Sequence, residues 1–180
     1  PLYHERGRLL FLTRPNAPSG MACTRDEAER LVQSFPGVVV IDEAYADFAE
    51  DDCTDLPRRH ENVLVTRTFS KSFGLAGLRL GMALGAPPLI AELQKARDPY
   101  NIDALAQVLG RAALEDGDYF EQCVARVKAT RAALGAGLAE LGFHVYPSQT
   151  NFVLARPQRG AGAHTLYQRL RDRGILVRHF

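Results

Sequence analysis

The chain contains 180 residues and is 46% hydrophobic, which is ordinary for a globular protein with a core and excludes disordered and collagen-like classes. Its 22 basic and 21 acidic residues leave a net charge of +1, and no stretch approaches the roughly 20 apolar residues of a membrane span, so we expect neither nucleic acid nor a membrane as a partner. The 3 cysteines and 5 histidines lack disulfide-framework or metal-ligand spacing, which predicts reduced thiols, a cytoplasmic location and no metal.

The first predicted elements are a strand and a helix joined by a turn-forming loop. Leu9 to Thr13 is a short apolar run that indicates a buried strand. The loop R-P-N-A-P-S-G has the proline and glycine of a turn at a strand's carboxyl end, where open α/β sheets bind ligands. Thr24 and Glu27 form a capping box, so we expect a helix over about Thr24 to Ser34.

A second buried strand, V-V-V-I-D, ends in Asp42. Its apolar residues are typical of a strand that is covered on both faces in a parallel sheet. A carboxylate directly after such residues needs a partner, and a helix N-cap at the strand's end is the default interpretation of an isolated aspartate there. The charged stretch from Glu50 to Arg59 has no apolar period and predicts a solvated loop with a short helix at best.

The most informative stretch is T-R-T-F-S-K-S-F-G-L-A-G-L-R-L-G, Thr66 to Gly81, which continues a third predicted strand, N-V-L-V-T. Thr68 and Ser70 lie on one face if the segment is extended, and both hydroxyls can donate to a phosphate oxygen. Arg79 adds a planar, permanently charged group that suits a phosphate. We therefore interpret Lys71, between two hydroxyl residues, as an amine that forms a Schiff base with a phosphorylated aldehyde cofactor. The alternative is a surface lysine beside a flexible glycine loop.

The rest of the chain predicts alternating helices and strands, which suits a small α/β domain after the first sheet. The expected elements are a strand from Leu80, a helix from Pro87, helices over about Asp103 to Glu115 and Asp118 to Leu141, strands over His144 to Tyr146 and Asn151 to Ala155, a helix over Ala163 to Arg173 with Gly174 as its C-cap, and a strand over Leu176 to Phe180.

The lysine segment resembles the corresponding motif of the fold-type I pyridoxal-phosphate (PLP) aminotransferases, and of their histidinol-phosphate aminotransferase branch in particular. The stretch R-D-P-Y-N-I-D-A-L-A-Q, Arg97 to Gln107, resembles the junction between the large and small domains in that branch. The resemblance covers essentially the whole chain and implies an α/β, PLP-transferase-like fold. Residues 1–115 would form the second half of a mostly parallel large-domain sheet with helices on both faces, and residues 116–180 part of a smaller α/β carboxyl-terminal domain.

The resemblance also implies roles around the cofactor. Asp42 would pair with the pyridine nitrogen of PLP, and Tyr45 would donate to the phenolic oxygen, with a core or rim tyrosine as the alternative. Ala44 would lie flat under the ring. Ala17 stands where the family has an asparagine that bonds the phenolic oxygen, so either Asn16 substitutes for that asparagine or it only shapes the turn.

Two further positions match family residues near the substrate. Asn151 lies in T-N-F, and Arg178 lies in G-I-L-V-R, where an edge-strand charge is the alternative interpretation. Tyr100 and Asn101 would reach the site from the domain junction. The alternative for these two is a proline-anchored linker whose tyrosine only packs.

The function implied by the resemblance is PLP-dependent transamination in histidine biosynthesis, in which L-histidinol phosphate and 2-oxoglutarate give imidazole acetol phosphate and glutamate. Lys71, Asp42 and Tyr45 would be the catalytic residues of a homodimer. Because the chain begins at Pro1 without methionine and matches part of the family pattern, we expect a piece that is inactive by itself. The alternatives are another PLP enzyme of the same fold, such as a threonine-phosphate decarboxylase or an aromatic aminotransferase, and a non-catalytic PLP-sensing domain of a regulator.

Overall fold

The structure, a computed structural model, describes residues 7–160 and 162–180. The strands of its main sheet are β1 (Leu9–Thr13), β2 (Val38–Asp42), β3 (Val63–Thr68) and β4 (Gly81–Gly85), in that spatial order. The first three pair in parallel, and β4 is antiparallel to β3. The predicted mostly parallel α/β sheet is therefore confirmed, with an antiparallel strand at one edge.

Five α-helices and a small second sheet complete the described chain. The helices are α1 (Arg25–Ser34), α2 (Pro87–Lys95), α3 (Ala104–Glu115), α4 (Gly117–Glu140) and α5 (Ala163–Arg171). The second sheet pairs β5 (Phe143–Val145) with β6 (Ala155–Pro157) in antiparallel orientation. Gly174 has a φ of 76°, as expected of a residue just beyond a helix end.

Helix α1 begins at the predicted capping box. The hydroxyl of Thr24 accepts from the backbone N–H of Glu27 at 3.2 Å, and the Glu27 carboxylate accepts from the backbone N–H of Thr24 at 2.8 Å. These two bonds satisfy donors that a helix start leaves unpaired. Ala28 and Val32 then lie buried against the sheet.

The two faces of the sheet are covered differently. Because side chains alternate along a strand, Ile41 and Val65 face the core beneath α1, where both are fully buried. On the opposite face, Ile90 of α2 lies beside Gly85 and close to Leu64. Helices therefore lie on both faces, although Phe11 on the second face stays 70% exposed.

The prediction of a solvated loop from Glu50 to Arg59 was wrong in part. A short 3-10 turn does form at Leu56–Arg58, but Leu56 and Cys53 are fully buried in the core beneath α1. Asp51 stays 45% exposed, although its carboxylate binds the buried Arg14. The many charges in this loop gave no sign in the sequence that the side chains of Cys53 and Leu56 point into the core.

The predicted strand from Asn151 to Ala155 forms later, as β6. The hydroxyl of Ser148 donates to the carbonyl of Phe152 at 2.5 Å, and the hydroxyl of Thr150 donates to the same carbonyl at 3.1 Å. Such side-chain bonds satisfy backbone groups that a strand would otherwise pair with a neighbour. Asn151 therefore lies in a bend rather than in the sheet.

The predicted strand from Leu176 to Phe180 does not form. These residues are exposed, Leu176 at 81%, and no strand lies beside them in the described chain. An extended segment needs a neighbouring strand for its N–H and C=O groups, and the second sheet ends with β5 and β6. The interpretation of Arg178 as an edge-strand charge is therefore wrong.

Chemical labelling of Cys53 tests whether the Glu50–Arg59 loop packs into the core. Burial raises the pKa of Cys53 to about 12. In the folded protein at pH 8, the Cys53 thiol should therefore be inaccessible to a reagent and should not form the reactive thiolate. We expect iodoacetamide to label Cys53 only after unfolding in urea, whereas Cys123, a partly exposed thiol on α4, should react in the folded state. Peptide mass spectrometry distinguishes the two sites. Equal labelling rates in the folded protein would contradict the burial.

Candidate active site

The candidate site lies at the edge where β2 and β3 end. Because these strands are parallel, Asp42 at the end of β2 and Thr68 at the end of β3 reach the same edge of the sheet. Asp42 pairs in register with Thr66, and alternation along β3 places Thr68 on the same face as Asp42. Lys71 follows in the turn after β3. Residues that are distant in the sequence thus converge at one edge.

Lys71 lies over the ring of Tyr45. Its Nζ is 5.1 Å from the ring centroid, which is within the range of a cation–π contact. The side chain is exposed and has no hydrogen bond or ion pair among the described residues. The other two lysines are engaged, Lys95 with a carboxylate of its own helix at 2.6 Å and Lys128 with a backbone carbonyl at 3.0 Å. Lys71 is therefore the lysine whose amine is free to react.

Asp42 uses one carboxylate oxygen to fix the turn after β2. Its Oδ1 accepts from the backbone N–H of Ala44 at 3.0 Å, so it closes a turn and does not cap a helix, because the next helical turn begins after Tyr45. Its Oδ2 has no hydrogen-bond partner within residues 7–160 and 162–180, and the side chain is half-buried. One oxygen is therefore free to accept from a ligand.

Tyr45 connects this edge to the segment that precedes β6. Phe152 meets the Tyr45 ring edge-on, with centroids 5.3 Å apart. The preceding residue, Asn151, is exposed beside this contact. Further back, the backbone N–H of Gln149 donates to the carbonyl of Gly20 at 2.7 Å. The segment thus packs both on Tyr45 and on the loop that follows β1.

Asn16 shapes that loop. Its Oδ1 accepts from the hydroxyl of Ser19 at 2.9 Å, and its backbone N–H donates to the carbonyl of Met21 at 2.7 Å. The neighbouring Ala17 is exposed and offers no polar side-chain group. The turn-forming role of Asn16 is observed, and its contact with a cofactor stays a prediction.

The expected phosphate-binding groups are arranged less regularly than an extended segment would place them. β3 ends at Thr68, whose Oγ1 accepts from the backbone N–H of Ser70 at 3.1 Å, so the two hydroxyls do not alternate along one strand. Arg79 is exposed and donates to the carbonyl of Ala76 at 2.9 Å. Gly74 has a φ of 69°, a conformation that favours glycine. The turn therefore bends back on itself after Lys71.

Three of the predicted substrate residues are exposed and have no polar or ring contact at this edge in the described ranges. Tyr100 is 96% exposed in the turn between α2 and α3, and Asn101 is exposed beside it. Arg178 is exposed in the carboxyl-terminal segment that failed to form a strand. None of the three has a hydrogen bond, ion pair or ring contact in the part of the chain that the structure describes. Only Asn151 adjoins the site through its neighbour Phe152.

A buried group of charges behind the site is the feature that the sequence interpretation missed. Glu43 has no exposed side-chain surface, and its carboxylate accepts from Arg14 at 3.3 Å, from Arg67 at 3.1 Å and from the backbone N–H of Cys53 at 2.7 Å. Burial raises the pKa of Glu43, and the guanidinium of Arg67 opposes that shift. A carboxylate this deep needs all of these donors.

Asp47 links these buried charges to the turn that carries Lys71. Arg67 donates to one oxygen of Asp47, and the hydroxyl of Ser72, next to Lys71, donates to the other. The available signal in the sequence was a pair of charged residues that follow apolar runs, Glu43 directly after β2 and Arg67 near the end of β3. Sequence spacing alone could not show which residues Glu43 and Arg67 bind, because the binding partners lie on different strands and turns.

No group of three or more histidine, cysteine, aspartate or glutamate side chains is arranged to hold a metal ion in the described ranges. None of the helices there is long and apolar enough to cross a membrane. The three cysteines are free thiols.

The fold and site define a class of protein, an α/β chain whose mostly parallel sheet presents a carboxylate and a free amine at one edge. The sequence profile described as aminotransferase class I and II matches residues 2–180. The chain is 51% identical over 177 residues to the histidinol-phosphate aminotransferase of Citrifermentans bemidjiense, covering 98% of this chain and 50% of that protein. It is 47% identical over 179 residues to histidinol-phosphate aminotransferase 1 of a Nostoc species, covering 99% of this chain and 50% of that protein.

Solved structures show the same relationship. The histidinol-phosphate aminotransferase from Sinorhizobium meliloti in complex with pyridoxal-5'-phosphate superimposes with a TM-score of 0.88 at 31% sequence identity, over 95% of this chain and 48% of that one. The chain therefore belongs to the aminotransferase class I and II family, and the predicted fold and family resemblance are confirmed. It spans about half the length of the curated relatives it matches.

Proposed function

We propose that this chain supplies the central part of the active site of a PLP-dependent aminotransferase. The observation that carries the proposal is the free amine of Lys71 over the Tyr45 ring, at the sheet edge where Asp42 keeps one oxygen free. Relatives named histidinol-phosphate aminotransferases support it, as does a solved neighbour that contains PLP.

The side chains at this edge fit PLP chemically. Lys71 offers a primary amine to the aldehyde carbon, Asp42 a carboxylate to the pyridine nitrogen, and Tyr45 a phenol to the ring oxygen. When bound, PLP supplies an electron sink for the electron pair released at the substrate carbon. The remaining proposed contacts are the hydroxyls of Thr68 and Ser70 and the guanidinium of Arg79 for the phosphate, Ala44 beneath the ring, and Asn16 at the ring's edge.

Each catalytic side chain has a distinct task in this proposal. Lys71 would hold the cofactor through its amine, and that amine, once free, would serve as the base that takes and returns the proton of the reacting substrate. Asp42 would offer its carboxylate as a hydrogen-bond acceptor to the pyridine nitrogen. Tyr45 donates its hydroxyl to the ring oxygen, while its ring face holds the amine of Lys71 nearby.

We propose L-histidinol phosphate as the amino donor and 2-oxoglutarate as the acceptor, giving imidazole acetol phosphate and glutamate in histidine biosynthesis. The names of the relatives support this choice. The activity is that of the full-length gene product that contains these 180 residues, which we propose to be a cytoplasmic homodimer. The proposed substrate contacts are Asn151, Tyr100, Asn101 and Arg178.

A division of the chain into large-domain residues 1–115 and small-domain residues 116–180 also belongs to the proposal. Helix α4 opens the second part and packs on β5. Two of its side chains reach back across the boundary, where Lys128 donates to the carbonyl of Ala49 at 3.0 Å and Arg131 to the carbonyl of Phe48 at 3.1 Å. These bonds would hold the small domain beside the site.

Borohydride reduction of the PLP-treated, full-length gene product should label Lys71. Its amine is free, whereas Lys95 and Lys128 are engaged in contacts of their own. Peptide mass spectrometry locates the label, and Lys71→Arg, which keeps the positive charge, should remove it. A label found chiefly on Lys95 or Lys128 would refute the assignment.

Replacing Asp42 should slow turnover without preventing cofactor capture. Asp42→Asn can still accept from the N–H of Ala44 but cannot hold a proton on the pyridine nitrogen, so we expect a loss on the order of a thousandfold, about 4 kcal/mol. The matched control is Asp26→Asn on α1, whose side chain is 79% exposed. Near-normal turnover of the Asp42 variant would mean that Asp42 only closes the turn after β2 and has no catalytic role.

Substrate competition distinguishes the proposed reaction from its rivals. The full-length product should form glutamate from 2-oxoglutarate with L-histidinol phosphate at a kcat/KM at least roughly tenfold above that with phenylalanine, and should release no CO₂ from threonine phosphate. A preference for phenylalanine, or release of CO₂, would support another PLP enzyme of this fold. PLP binding without turnover of any of these compounds would support the sensing domain.

A further inference from the structure

Ser72, next to the reactive lysine, is held from behind by the buried charges. Its hydroxyl donates to one carboxylate oxygen of Asp47, and the other oxygen accepts from Arg67. Asp47 and Arg67 are largely buried, and Arg67 is fixed in turn by the fully buried Glu43 at 3.1 Å. Both oxygens of Asp47 are therefore occupied by donors on two different segments.

Every member of this series of contacts is a close sequence neighbour of a proposed site residue. Because adjacent residues of a strand point to opposite faces, Glu43 and Arg67 lie on the core side of the sheet while Asp42 and Thr68 face the site. The neighbouring pairs are Glu43 with Asp42, Arg67 with Thr68, Asp47 with Tyr45 and Ser72 with Lys71.

A second anchor holds the turn immediately after Ser72. The ring of Phe73 lies 4.8 Å from that of Phe69 and stacks on that of Phe120 of α4, with centroids 4.5 Å apart. The backbone just after Lys71 is thus fixed by a polar contact and by an aromatic one. The lysine side chain itself remains free.

We propose that Asp47, held by Arg67, is a positioning residue that tethers Ser72 and so fixes the backbone of Lys71 relative to Tyr45 and Asp42. The inference rests on the proposed function in taking Lys71 as the reacting amine. A bond from a hydroxyl to a carboxylate is stronger than one between neutral groups. Displacing a reacting group by about 1 Å can cost on the order of a hundredfold in rate, so a tether one residue away bears directly on the chemistry.

Hydrogen exchange on the full-length protein without PLP tests the tether itself. In Ser72→Ala, we expect the turn amides of Gly74 and Leu75, which donate to the carbonyls of Lys71 and Phe69, to exchange roughly tenfold faster. Amides of β2 should be unchanged, because the core does not depend on this hydroxyl. Ser72→Thr, which keeps the hydroxyl, should restore slow exchange.

The matched control is Ser34→Ala, which removes another serine hydroxyl bond, from Ser34 to the carbonyl of Leu31 at 3.1 Å, at the exposed end of α1. It should leave exchange in the turn unchanged. Asp47→Asn, which removes the negative charge of the group that accepts from Ser72, should loosen the turn as Ser72→Ala does. Unchanged exchange in the turn of Ser72→Ala, or an equal increase in β2, would overturn the proposal.

The rate of PLP capture connects the tether to the site. In Ser72→Ala, borohydride-trapped label on Lys71 should accumulate roughly tenfold more slowly, and Ser72→Thr should recover the original rate. Equal capture rates in the two variants would overturn the positioning role. If the unsubstituted protein takes no label at all, the proposed function fails, while the exchange comparison still decides whether the tether exists.

Discussion

The buried carboxylate of Glu43 is the constraint on which the ends of the strands depend. It lies between the guanidinium groups of Arg14 and Arg67 and also accepts from the backbone N–H of Cys53. Leaving such a group without its partners costs about 3–5 kcal/mol, so the segments that carry the donors must stay in place. Those segments are the end of β1, the end of β3 and the loop after Tyr45, which together frame the candidate site.

The site follows from this frame in a simple way. Glu43, just beyond β2, and Arg67 of β3 form an ion pair on the core side of the sheet, and the strand residue adjacent to each faces the opposite side. Asp42 and Thr68 occupy that opposite side, and Lys71 follows in a turn whose backbone is held at Ser72 and Phe73. Rigid support with a free amine is the arrangement that the proposed proton transfer by Lys71 requires.

The elements whose signals are local could be predicted from the sequence. Apolar runs located β1, β2 and β3, and the capping box fixed the start of α1 at Thr24. Prediction from the sequence failed where the partner that decides the structure is distant in the chain or absent. The carboxyl-terminal segment has strand-like residues but no neighbouring strand to pair with, and hydroxyl bonds from Ser148 and Thr150 keep Asn151 out of the sheet. The motif residues were found from their pattern, whereas the pairing of Glu43 and Asp47 with the arginines required the fold.

An experimental structure of the full-length gene product with PLP bound would show whether Lys71 and Asp42 hold the cofactor. We expect electron density that is continuous from Nζ of Lys71 to the aldehyde carbon, with an oxygen of Asp42 at about 2.8 Å from the pyridine nitrogen. We also expect that Ser72 still donates to Asp47 on the far side of the turn. PLP joined to another lysine, or a pyridine nitrogen that Asp42 does not reach, would refute the proposed site.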